Sequence, residues 1–217
     1  MRVRDFSCLG AIVAVFALAS CLHAADEASG GWRVLFDGKT LNGWERHCGK
    51  AEYAVEDGAI VGHSVPNTRN SFLCSKEEFK DFELTFEVKI DNALNSGMQV
   101  RSQLKGDDTV FGPQVEIAAS PDGSGYIYGE STGRGWLSQD RPKTKVFKNG
   151  EWNHYRVVCQ GANIKTWVNG EPVADLTDEP SNHSGFLGLQ VHGVGNRADP
   201  LYARWRNIKI REIKSTP

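Results

Sequence analysis

From Phe82 to Ile90 the chain alternates without a break: Phe82, Leu84, Phe86, Val88 and Ile90 are apolar, and Glu83, Thr85, Glu87 and Lys89 between them are polar. A period of two describes a strand with one buried face, because successive side chains leave a pleated backbone on opposite sides. Shorter alternations follow at Met98–Arg101, Gln114–Ala118, Tyr126–Glu130, Tyr155–Gln160, Leu187–His192 and Trp205–Ile213. Asn169-Gly170 and Asp57-Gly58 each sit between two such runs, and residues that accept positive φ in sequence fit a tight antiparallel hairpin. Helix is expected for one turn only, at Ser75–Phe79, where Ser75 and Glu78 have capping-box spacing.

Twenty-three glycines and only two methionines in 217 residues agree with many short strands and tight turns. A chain of this length with 40% hydrophobic residues buries one core, which predicts a single domain over residues 31–213. Strands with one apolar face each are satisfied when two sheets pack face to face. The expected fold is therefore all-β, a jelly-roll β-sandwich of two antiparallel sheets.

The formal net charge of −2 gives no electrostatic footprint for nucleic acid or an anionic membrane surface. Residues 1–24 read as a signal peptide: Arg2 and Arg4 form a positive head, Leu9–Ala19 is apolar, and small residues follow. The apolar run is well short of the about 20 residues that span a bilayer. Leu18-Ala19-Ser20-Cys21 resembles a lipobox, with Cys21 as a lipidated N-terminus, while Ala24-Ala25 offers ordinary cleavage. Both readings place the mature protein outside the cytoplasm, periplasmic or extracellular, with no transmembrane segment of its own. The remaining cysteines are Cys48, Cys74 and Cys159; Cys159 shares a strand face with Tyr155 and Val157 and reads as core, and Cys48 and Cys74 are candidates for a bridge. No His/Cys cluster has zinc-site spacing.

Alternation also sorts the polar side chains. With Met98, Val100, Val115, Ile117, Ile127, Leu187, Leu189 and Val191 turned to the core, the opposite faces carry Gln99, Arg101, Gln114, Glu116, Tyr126, Tyr128, Glu130, Gln190 and His192. Such a set either forms one site or is the ordinary polar surface of a sheet. His47, His63, His154 and His183 fall in loops or at strand starts and read as surface residues.

The ordered segments VLFDGKTLNGW (Val34–Trp44), NSGMQVRS (Asn95–Ser102), GPQVEI (Gly112–Ile117), EWNHYRVV with IKTWVNG, GLQVHG (Gly188–Gly193) and RNIKIREI resemble the 3-keto-disaccharide hydrolase domain family. The resemblance covers Gly31 to Ile213 and implies a concanavalin A-like fold with a concave sugar-binding face. It also implies a substrate class, glycosides whose sugar carries a ketone at carbon 3. Family members often read E-x-Q where this chain has Gln114-Val115-Glu116, so acid and amide are exchanged on the same strand face.

A ketone at C3 acidifies the hydrogen at C2 and allows the C1 oxygen to leave by elimination, after which water adds. The resemblance then implies Glu116 and His192 as acid and base, in either order, and Arg101 as the group that stabilises the ketone or enolate. Gln114, Tyr128, Glu130 and Gln190 would contact sugar hydroxyls, and Trp136 would stack on a ring. No cofactor is required, although a divalent cation held by His192 and Glu116 would serve in place of Arg101. Against these roles stand an edge-of-sheet His192, a cross-strand Arg101–Glu116 ion pair, and Trp136 as a loop anchor. Two other functions also fit: a lectin-like module that only binds sugar, and an ordinary glycosidase with two carboxylates flanking the bond.

Overall fold

The computed structural model describes residues 30–214, so the leader and Cys21 lie outside the described residues. Every regular element among the described residues is a strand. In chain order they are β1 (Arg33–Val34), β2 (Trp44–Cys48), β3 (Glu52–Glu56), β4 (Ala59–His63), β5 (Ser71–Phe79), β6 (Phe82–Ile90), β7 (Ser96–Lys105) and β8 (Thr109–Ile117). They continue with β9 (Ile127–Glu130), β10 (Gly135–Trp136), β11 (Asn153–Gln160), β12 (Asn163–Val168), β13 (Glu171–Thr177), β14 (Gly185–Val191) and β15 (Tyr202–Glu212). No helix among the described residues is long and apolar enough to cross a membrane.

One sheet has the order β13-β12-β11-β6-β15-β4-β3 and the other β10-β9-β8-β7-β14-β5-β2. The pairings are antiparallel, and the two sheets close on a common core, as the alternation requires. Phe82, Leu84, Phe86, Val88 and Ile90 of β6 are buried in it together with Tyr155, Val157 and Cys159 of β11. From the other sheet Met98, Val100, Val115, Ile117, Leu187 and Leu189 meet them. The Asp57-Gly58 and Asn169-Gly170 turns join β3 to β4 and β12 to β13, and Asp57 and Asn169 have φ of 49° and 51°.

Two expectations are corrected. Ser75–Phe79 is the second half of β5, not a helical turn. Partners on both sides, β2 and β14, hold it extended, and Ser75 Oγ donates to the Glu77 carbonyl while accepting from Leu187 N. Tertiary pairing overrides a local capping pattern. Cys48 and Cys74 are free thiols. Register forbids the bridge: in the β2–β5 pair Cys48 opposes Ser71 and Cys74 opposes Glu45, an offset of three residues or about 10 Å, beyond disulfide reach.

The second sheet is bent where the register of β7 and β8 slips between Gln99 and Gln103. Past that slip the β7–β8 hairpin turns back over the outer face of its own sheet. Its tip reaches β2, although β7, β14 and β5 lie between β8 and β2 in the sheet order. Asp108 there accepts from Cys48 N at 2.8 Å and meets His47 Nδ1 at 2.6 Å, and Arg69 donates to Asp107 O at 2.9 Å. Under the hairpin Val110 packs on Phe72, Cys74 and Phe186, an apolar cluster separate from the main core. A bulge that re-aims one hairpin thus turns an open sheet face into a roofed one.

Candidate active site

The same sheet face holds a cleft of about 290 Å³, near the lower end of the roughly 300–1,000 Å³ usual for small-molecule sites. Seven of the eight residues singled out in the sequence line it: Gln114, Glu116, Tyr128, Glu130, Trp136, Gln190 and His192. They come from β8, β9, β10, β14 and the residue after β14. Asn70, Asn95 and Ser131 complete the lining. These three precede or follow strands, so period-two sorting gives them no face; Asn95 lies in the family-like segment NSGMQVRS without any spacing signal of its own.

Arg101 is elsewhere. It sits in the bulge with φ of 50°, which throws its side chain off the face that alternation predicts. The guanidinium is 1% exposed and donates to Lys80 O at 2.6 Å, Gly161 O at 2.5 Å and Asp81 Oδ1 at 3.1 Å. It ties the β5–β6 turn to the β11–β12 turn, and its ion-pair partner is Asp81 rather than Glu116. The four histidines read as surface residues also lie outside the cleft: His47 pairs with Asp108, His63 with Glu56 and His183 with Glu179, and His154 is exposed.

A directed chain of hydrogen bonds fixes Glu116. Ser102 Oγ donates to Gln99 Oε1 at 2.7 Å, Gln99 Nε2 to Gln114 Oε1 at 3.0 Å, and Gln114 Nε2 to Glu116 Oε2 at 3.0 Å. Asn95 Nδ2 donates to the other carboxylate oxygen. Gly97, opposite Glu116 across the β7–β8 pair, makes the arrangement fit, since a Cβ there would stand 2.3 Å from Gln114 Cδ. Burial raises the Glu116 carboxyl above the ordinary range, against the opposing bonds from Gln114 and Asn95 and the nearby His192. The Glu130 carboxyl is raised by burial too, with Ser131, His192, Asn70 and Gln190 acting the other way.

His192 is exposed to the cleft, and its Nδ1 lies 2.8 Å from the Gly193 carbonyl oxygen. A carbonyl only accepts, so Nδ1 carries the hydrogen and Nε2 is the basic nitrogen of the neutral ring. Gln190 is fully buried; its Nε2 donates to Glu130 Oε2 at 3.3 Å, while its Oε1 has no partner. A buried acceptor left open at a cleft wall is the place for a ligand donor such as a hydroxyl. Trp136 meets Tyr128 edge-on at 5.4 Å, and the Arg141 guanidinium covers its ring at 3.7 Å, so a sugar would use what that cation leaves free. Among the described residues no three His, Cys, Asp or Glu side chains converge as a metal-ligand set.

A Bacteroides thetaiotaomicron protein named 3-keto-disaccharide hydrolase is 26% identical over 236 aligned residues, covering 84% of this chain and 79% of that one. Among solved structures, a Parabacteroides distasonis protein superposes with a TM-score of 0.65 at 24% identity, covering 87% of this chain and 97% of its own. The β-glucanase of Bacillus licheniformis superposes with a TM-score of 0.59 at 14% identity, covering 85% and 97%. These two likenesses establish the concanavalin A-like jelly-roll fold and nothing about chemistry. Residues 31–211 match the 3-keto-alpha-glucoside-1,2-lyase-like domain, and the chain belongs to that family.

Proposed function

We propose that the protein cleaves 3-keto-glycosides, 3-keto-disaccharides among them, by elimination followed by hydration. The observation that carries this reading is one cleft that gathers a histidine with a directed basic nitrogen, a buried and a half-buried carboxyl, and an unpartnered buried amide oxygen. Family membership and the Bacteroides relative's name support the substrate class.

His192 Nε2 takes the proton from C2, and the electron pair moves onto the ketone oxygen as an enolate. Glu116, kept protonated more readily by burial, donates a hydrogen bond to that oxygen, the role that Arg101 cannot fill from the far side of the bulge. The enolate collapses to a C1–C2 double bond as the C1–O bond breaks, and the departing oxygen takes a proton. Water then adds its hydroxyl to C1 while His192, exposed at the cleft and in proton exchange with solvent, delivers a proton to C2. The sum is glycoside plus water giving a 3-keto-sugar plus an alcohol. Gln114 and Gln190 hold hydroxyls, and Tyr128 and Trp136 bound the ring. Export by the leader is part of the same proposal.

Purified protein incubated with a 3-keto-disaccharide and, in parallel, with its unoxidised parent is expected to release sugar from the keto form alone, followed by chromatography. Release from the parent alone would assign an ordinary glycosidase. Saturable binding of the parent with no product from either would assign a lectin-like module.

A further inference from the structure

A second cleft, of about 400 Å³, lies beside the first under the same folded hairpin. The two have Asn70, Glu130 and Ser131 in common, so these residues form the wall between them. We propose that the second cleft is the leaving-group subsite, that it takes an uncharged sugar, and that Glu130 on the common wall protonates the departing glycosidic oxygen. This rests on the reading of the first cleft as the site of the keto-sugar.

If the keto-sugar lies in the first cleft between His192 and Glu116, a second ring in the neighbouring cleft is joined to it by a bond that passes the wall. Glu130 is the wall residue able to give a proton there, because Asn70 is an amide and the Ser131 hydroxyl is far too weak an acid. The Glu130 oxygens accept from two neutral donors, Ser131 Oγ at 3.2 Å and Gln190 Nε2 at 3.3 Å. Among the described residues no guanidinium or ammonium forms an ion pair with it, and burial favours its protonated form.

The second cleft has the surface a sugar needs, C–H contacts on one side and hydrogen-bonding groups on the other. Cys48, Phe72, Gly193 and Gly195 supply the first; Thr68, Arg69 and Thr109 supply the second. Arg69 does not offer an unmatched charge: it lies 3.7 Å from Asp107 and donates to Asp107 O and to Thr109 Oγ1 at 3.1 Å. A charged ring would therefore find no uncompensated counter-charge among these lining residues.

The proton balance closes on the same two groups. In elimination His192 gains the C2 proton as Glu130 gives its own to the leaving oxygen. In hydration Glu130, now a carboxylate, takes a proton from the water whose oxygen joins C1, and His192, its proton exchanged with solvent, protonates C2.

The experiment compares a 3-keto-disaccharide with the 4-nitrophenyl glycoside of the same 3-keto-hexose, whose nitrophenolate leaves without being protonated. Glu130→Gln is expected to lower kcat/KM on the disaccharide by about 10²-fold or more, the range for a general acid, and by far less on the nitrophenyl glycoside. Thr109→Trp, which fills the second cleft, is expected to raise KM for the disaccharide at least about tenfold over any change with the methyl 3-keto-glycoside, a loss of about 1.4 kcal/mol of binding. Equal losses on both substrates with Glu130→Gln would overturn its role as acid. Equal KM changes, or none, with Thr109→Trp would overturn the subsite. Failure of the unmodified protein to cleave either keto-glycoside would instead sink the reading of the first cleft, so the two failures are told apart.

Discussion

His192→Ala and Glu116→Gln are each expected to lower turnover of a 3-keto-glycoside by about 10²-fold or more while the folded signal persists. Among the described residues the His192 side chain hydrogen-bonds to the Gly193 carbonyl alone, and it stands exposed beyond the end of β14, so its removal costs the fold little. Glu116 differs, because its carboxyl is raised by burial, and the sign of the stability effect follows from that shift. A carboxyl that titrates higher folded than unfolded stabilises the protein most below its unfolded value. That contribution is lost as pH rises through the folded value. A glutamine does not titrate, so Glu116→Gln should lose this pH dependence of Tm together with its activity. A variant that loses activity only because it unfolds at assay temperature, seen by circular dichroism, would assign Glu116 to the fold instead.

Arg101→Ala is expected to have the largest effect on stability. It removes a buried cation from Asp81 and two turn carbonyls, so that Asp81 keeps its bond from Gly161 N but loses its counter-ion, and the carbonyls of Lys80 and Gly161 lose this donor. Breaking a buried ion pair from one side costs about 3–5 kcal/mol, which in a chain of this size is on the order of 10 °C in Tm. Because the guanidinium lies outside the cleft, turnover per folded molecule below the lowered Tm should stay within a few-fold of the original. A fall of about 10²-fold in kcat with little change in Tm, the signature of a lost enolate stabiliser, would return Arg101 to the reaction.

The contrast between these residues shows what period-two sorting carries. It holds wherever a strand runs straight: Leu187, Leu189 and Val191 face the core, and Gln190 and His192 face the cleft, as their spacing requires. It fails at Arg101, because one residue with positive φ in a bulge breaks the alternation, and arginine carries no propensity that announces such a site. The folded hairpin was equally illegible, since it depends on Asp108 meeting His47 and Cys48 some sixty residues away. Without that roof Glu130 would be one more acid on an open sheet. With it, Glu130 faces Gln190 and the wall between two clefts. Asn70 and Asn95 escaped notice for a simpler reason: they lie at the ends of strands, where position depends on the loop rather than on a period.

The central claim is that the C2 hydrogen leaves the sugar before the glycosidic bond breaks. It is tested most directly by running the reaction on a 3-keto-disaccharide in D2O and measuring deuterium at C2 of the released 3-keto-hexose, after subtracting exchange in an enzyme-free control. The account predicts one solvent deuterium at C2 for each bond cleaved. Release of 3-keto-hexose that retains its original hydrogen at C2 would contradict it and point to direct displacement at C1.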